Sequence, residues 1–156
     1  MELTPNTRMI KHVSEDDTKM LHALVEDMIP QSETHNLPSA GEELIFKDIL
    51  EEARRNFSLV EKELCFLNEI AERMFGISYK MLEDEHRHRV SMKFLISIKQ
   101  SAIARIVLQC YYRDDRVMRS LGMEPRPPFP LGYVIENNDW SLLESVKKKN
   151  KTYRSA

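Results

Sequence analysis

Apolar residues along this chain recur mostly at intervals of three and four, the spacing of helices with one buried face. Met20, Leu21, Leu24, Val25, Met28 and Ile29 form the first such set. Ser14 precedes it, with Asp17 three positions on, the shape of a capping box. Glu15, Asp16 and Asp17 also suit the positive end of a helix dipole. Pro30 ends this helix, and 31–38 reads as a polar loop. A second helix is predicted from Ser39 to about Asn56, with Leu44, Ile45, Ile49 and Leu50 on its apolar face. A third starts near Ser58, runs through Leu64, Leu67, Ile70 and Met74, and stops at Gly76. Ser78 opens a fourth segment, in which a charged turn, 83–89, precedes Val90, Phe94, Leu95 and Ile98. The stretch 101–112 is the most apolar and predicts a central helix buried nearly all round. A short helix over 114–121 ends at Gly122.

Beyond Gly122 the pattern breaks. Pro125, Pro127, Pro128 and Pro130 forbid a regular helix and push their preceding residues toward extended backbone. Phe129, Tyr133 and Trp140 punctuate this stretch, and a brief helical patch over 140–146 precedes a basic run, 147–154. Strand-like alternation is confined to a few residues around 133–135. The expectation is therefore an all-α protein in a single domain. A bundle of about five helices over 14–122 is followed by an extended Pro/aromatic-rich C-terminal arm and tail over 123–156.

Length and composition agree with one globular unit. A chain of 156 residues buries roughly two thirds of the surface its unfolded form exposes. With 42% apolar and 31% charged residues it has the composition of a folded rather than a disordered chain. A net charge of -2 gives no overall field for nucleic acid or an anionic membrane. No apolar run approaches the roughly 18 residues of a bilayer span, so no membrane insertion is expected. Residues 1–13 have neither a signal-peptide core nor an arginine pair, which gives the cytoplasm as the expected location. Cys65 and Cys110 both fall in helical patterns and read as two buried small hydrophobes in a reducing compartment.

Catalytic constellations are scarce. Four glycines leave no phosphate-binding loop and no dinucleotide fingerprint. Glu83 with His86, and Glu85 with His88, have the three-residue spacing seen in carboxylate-bridged di-iron bundles. The two motifs are offset by two residues, however, and cannot share one helix face. Arg87 and Arg89 also oppose a cation there, so the run reads as a solvated charged turn at a helix start. His12, His22 and His35 have no ligand spacing. Three alternatives stay open: a metal-dependent bundle enzyme using Glu83, His86 and Glu61 or Glu63, a regulatory or nucleic-acid-binding protein using the basic tail, and a homo-oligomeric scaffold.

One order of motifs is more specific. Asp27-Met28-Ile29-Pro30 is followed by Leu37-Pro38-Ser39-Ala40-Gly41-Glu42. Later come Tyr111-Tyr112-Arg113-Asp114-Asp115, then Leu121-Gly122, then Pro127-Pro128-Phe129-Pro130-Leu131-Gly132-Tyr133. Over about 14–145 this resembles the gluconate 2-dehydrogenase subunit 3 family, the small subunits that accompany flavin-dependent oxidoreductases of the glucose–methanol–choline type. Many of its members carry a twin-arginine leader, which this sequence lacks. The resemblance implies a non-catalytic accessory subunit, with no cofactor on this chain and FAD on a large partner subunit. It leaves a cytoplasmic complex or export alongside a signal-bearing partner, and no role for nucleic acid. Tyr111, Tyr112, Pro127, Pro128, Phe129, Pro130, Tyr133 and Trp140 are the expected partner-binding residues, because buried aromatics dominate interfaces and prolines reduce the entropy lost on ordering. Adjacent helical residues point about 100° apart, so at most one of Tyr111 and Tyr112 is expected at the centre of the core.

Overall fold

The computed structural model describes residues 13–125, Gly132 and 139–148. These residues hold seven α-helices and no strand, which makes the fold all-α. The chain divides into two compact units, Met1–Pro125 and Arg126–Ala156.

In the first unit, α1 is Glu15–Met28 and starts where the capping signal lies. The Asp17 amide donates to Ser14 Oγ at 3.0 Å, and the Ser14 hydroxyl donates back to the Asp17 carboxylate at 2.7 Å. Met20, Leu21, Leu24 and Val25 are its buried residues. A loop follows in which Ser32 and Leu37 exchange backbone hydrogen bonds at 3.0 and 2.9 Å, with Asn36 in the left-handed region. The second helix, α2, is Glu43–Arg55 and begins four residues later than Ser39 suggested. Ser39 caps a tight turn instead: its hydroxyl accepts from the Gly41 amide at 3.0 Å. Gly41 lies so close to α1 that a Cβ there would stand 2.3 Å from Glu26 Cγ.

Ile45, Ile49 and Ala53 carry the buried face of α2. Leu44, expected on that face, is 62% exposed, since the buried positions fall one residue further round the helix. Helix α3, Phe57–Phe75, buries Val60, Leu64, Leu67, Ile70 and Ala71. It stops at Gly76, whose φ of 74° favours a residue without a Cβ. A 3₁₀ turn over Tyr79–Met81 leads into α4, Asp84–Ser97. The charged run 83–89 lies at a helix start, as expected, and forms the first turns of α4 with Glu83 at the N-cap position. Helix α5 is Ala102–Tyr111, and α6 is Asp115–Ser120, capped by Asp114.

The centre of the bundle is α3, which packs against α1, α2, α4 and α5. Helix α5, expected at the centre, is one-sided: it buries Ile103, Ile106, Val107, Cys110 and Tyr111 but exposes Arg105, Leu108 and Gln109. Of the two cysteines, Cys110 is buried and Cys65 is exposed; both are free thiols. Burial pushes the Cys110 thiol above its ordinary value.

A carboxylate from α3 closes the N-terminus of α5. Glu63 Oε1 accepts from the Ala102 amide at 2.6 Å, and Oε2 from the Ile103 amide at 3.0 Å. Ser101 Oγ donates to Glu63 Oε2 at 2.7 Å and accepts from the Ala104 amide at 3.0 Å. Three amides that a helix start leaves without intrahelical partners are therefore satisfied, two of them by a charged group on another helix.

In the second unit, Asp139 caps a 3₁₀ turn, Trp140–Leu143, that continues into α7, Glu144–Lys147.

Replacing Glu63 with Ala should destabilise the bundle by about 1–3 kcal/mol, because it strips both a cap and a charge-assisted inter-helix bond. Urea denaturation checks this, with Glu61→Ala, an exposed neighbour, expected within about 0.5 kcal/mol of the parent.

Candidate functional site

The tyrosine pair at the end of α5 divides between core and surface. Tyr111 is 2% exposed, and its hydroxyl donates to the Pro38 carbonyl at 2.9 Å. Burial raises its phenol pKa above the ordinary value. Tyr112 is 51% exposed and meets the Tyr111 ring edge-on, with centroids 5.5 Å apart. Leu108, one turn earlier, is 46% exposed, so the two share an outward side of α5. Of the expected pair, Tyr112 alone is presented at the surface; Tyr111 is a core residue tying α5 to the 31–42 loop.

Trp140 is 68% exposed. Pro127, Pro128, Phe129, Pro130 and Tyr133, with the strand-like 133–135, lie outside the described residues.

The side chains of the His/Glu run have other neighbours. His86 stacks on Phe75 with centroids 4.4 Å apart, and the Arg89 guanidinium lies 5.6 Å from the same ring. His88 Nδ1 lies 3.5 Å from Asp27 Oδ1. Glu63 is committed to α5. Among the described residues no group of three or more His, Cys, Asp or Glu side chains is placed to hold a metal ion.

Two polar assemblies were not legible from spacing. The first is a buried chain between α1, the 3₁₀ turn and α4. Tyr79 is fully buried, and its hydroxyl lies 2.8 Å from Ser91 Oγ, which donates to Asp27 Oδ2 at 2.7 Å. Since that serine proton goes to the carboxylate, the phenol donates to Ser91. Burial raises the Tyr79 pKa strongly, so it stays protonated as a donor. Helix spacing puts Ser91 beside Val90 and Phe94, but its partners lie 12 and 64 residues away.

The second assembly joins α2 to α6. The Arg116 guanidinium donates to Glu42 at 2.6 Å and to the Asp114 carboxylate at 3.0 Å. Its charge holds both carboxyls below their usual range, chiefly through those hydrogen bonds. Arg116 and Arg119 line an open groove of about 660 Å³ with Gln31, Ser32, Asn36 and Ser120. Arg119 is paired with Asp115 at 3.0 Å. Arg116 sits between two carboxylates, and Glu33 also lines the groove, so it presents acidic as well as basic groups.

Comparison with protein-family models, with curated proteins and with solved structures finds no match to the chain.

Ser91→Ala should cost about 1–3 kcal/mol, since it removes the hydroxyl that bridges a buried phenol and a carboxylate. Tyr79→Phe should cost less, about 1 kcal/mol, and the double variant less than the sum; urea midpoints of all three test this. Arg116→Gln should lower stability most near neutral pH. The depressed Glu42 and Asp114 carboxyls contribute above their unfolded values and lose that contribution as pH falls through their folded ones. The gap between parent and variant should therefore close below about pH 4, read from urea midpoints against pH.

Proposed function

We propose that the chain is a non-catalytic small subunit that binds, stabilises or helps mature a large FAD-dependent dehydrogenase of the glucose–methanol–choline type. The partner would act on a sugar, a glycoside or another alcohol. Flavin, substrate pocket and hydride transfer belong to that partner, and this chain contributes surface. The pair would reside in the cytoplasm, or be exported together on a signal carried by the partner.

The observation that carries the reading is Tyr112. A large aromatic half in water on the outer side of α5, beside exposed Leu108, is the kind of group that dominates binding once a partner covers it. Its neighbour Tyr111 is anchored in the core, which holds the end of α5 rigid and lowers the entropy lost on docking. The order of motifs adds support. The tyrosine pair leads through α6 into the segment holding Pro127, Pro128, Phe129, Pro130 and Tyr133, as in the small-subunit family that the sequence resembles. Tyr112, Phe129, Tyr133 and Trp140 are the principal anchors in this reading.

The test is purification of the tagged chain from its native cells, with the eluate's absorption scanned for flavin and bound proteins identified by mass. The parent should bring down a flavoprotein at near-equal amounts. Tyr112→Ala should weaken that complex about tenfold or more, equivalent to a hot-spot loss of about 1–2 kcal/mol. A metal-loaded, partner-free protein would defeat the reading.

A further inference from the structure

The last described helix has a character of its own. Trp140, Leu142, Leu143 and Val146 are 68%, 73%, 41% and 58% exposed. Trp140 with Leu143, and Leu142 and Leu143 with Val146, are three or four apart, which gathers the four on one half of the continuous helical stretch 140–147, with Lys147 at its edge and Ser141, Glu144, Ser145 and Lys148 opposite. None of the four belongs to the hydrophobic core. The sequence then runs Lys147, Lys148, Lys149, Asn150, Lys151, Thr152, Tyr153, Arg154, five cations with no acidic residue from 145 to 156. Glu144 is paired with Lys147 at 3.4 Å, both well exposed, a contact too solvated to neutralise the run.

From this pairing of an apolar side with a cationic run we infer that residues 140–148 form a peripheral docking element for an anionic lipid surface. The helix lies along the headgroup layer without crossing it, with Trp140, Leu142, Leu143 and Val146 at the acyl boundary. Lys147 and Lys148 meet the lipid phosphates and carboxylates, and the cationic sequence of 149–154, outside the described residues, adds to the attraction. Clusters of four to eight basic residues beside an amphipathic helix have this property. Helical segments near the membrane in this way need neither the length nor the uniform apolarity of a spanning helix, and no described helix has those.

The apolar side decides between lipid and nucleic acid. A duplex can accept the lysines and stack on one aromatic ring, but it has no hydrocarbon phase for Leu142, Leu143 and Val146. The overall charge of -2 does not oppose docking, because this run is purely cationic and the excess of acids lies elsewhere in the chain. The attraction to a negative surface is therefore local to this run. Trp140 is the residue this element shares with the expected flavoprotein contact; Leu142, Leu143, Val146 and the lysines belong to the lipid inference alone.

Trp140 is the chain's single tryptophan, so its fluorescence reports on this element alone. Full-length protein is titrated with vesicles of phosphatidylcholine mixed with phosphatidylserine, and with vesicles of phosphatidylcholine only. The inference predicts a blue shift and co-sedimentation with the mixed vesicles, reversed by salt, and little of either with the neutral ones. Replacing Lys147, Lys148 and Lys149 together by Gln should weaken vesicle binding about a hundredfold. Leu142→Ser with Val146→Ser should abolish the blue shift, and neither variant touches the core that gives the far-UV helical signal. No shift with anionic vesicles, or a shift only on adding duplex DNA or an acidic protein, would overturn the inference.

Discussion

The grip of the Glu63 carboxylate on the first turn of α5 is the interaction on which the presented surface depends. A helix buried on one side is held laterally by its apolar stripe, yet that stripe fixes axial position and rotation only loosely. Two hydrogen bonds donated by its first amides to a charged group on α3, at 2.6 and 3.0 Å, set both. At the other end of α5 the Tyr111 hydroxyl bonds the Pro38 carbonyl. Fixed at both ends, α5 can only turn Tyr111 inward and Tyr112 outward.

The same logic runs through the bundle. Its centre, α3, contributes the apolar wall for four neighbours and two polar fixtures as well. Besides Glu63, its Asn68 carbonyl accepts from Ser78 Oγ at 2.7 Å and from the Tyr79 amide at 3.0 Å, which seats the 3₁₀ turn. That turn in turn delivers the Tyr79 phenol to Ser91. Apolar burial supplies most of the driving force, and a small number of long-range polar contacts choose one packing among many. The site proposed for a partner is therefore rigid where it leaves the bundle.

Local signals were legible in the sequence because they rest on neighbouring residues. The Ser14 cap, the Gly76 stop and the helical turn after Asp139 depend on steric and hydrogen-bonding rules that act within a few positions. What was not legible depends on tertiary contact. Glu63 looks like any exposed helical glutamate until α5 is placed beside it, 38 to 40 residues on. Leu44 and Cys65 fit apolar patterns, yet face outward because each helix buries a narrower stripe than its composition allows. The apolarity of 101–112 suggested a central helix, whereas its density of aliphatic residues is concentrated on one side, with Leu108 left in water. At the site, helical geometry foretold that the tyrosine pair would split, but which ring would be buried required the Pro38 carbonyl to be in place.

The central claim is that the outward side of α5 meets a flavoprotein at Tyr112. A photoreactive phenylalanine analogue at position 112, incorporated in the native cells and irradiated there, tests it most directly. The account predicts a covalent adduct whose larger component is an FAD-containing oxidoreductase, and no such adduct when the analogue is placed at exposed Arg54 on α2. Equal yields of that adduct from both positions, or an adduct at position 112 with proteins that carry no flavin, would contradict it.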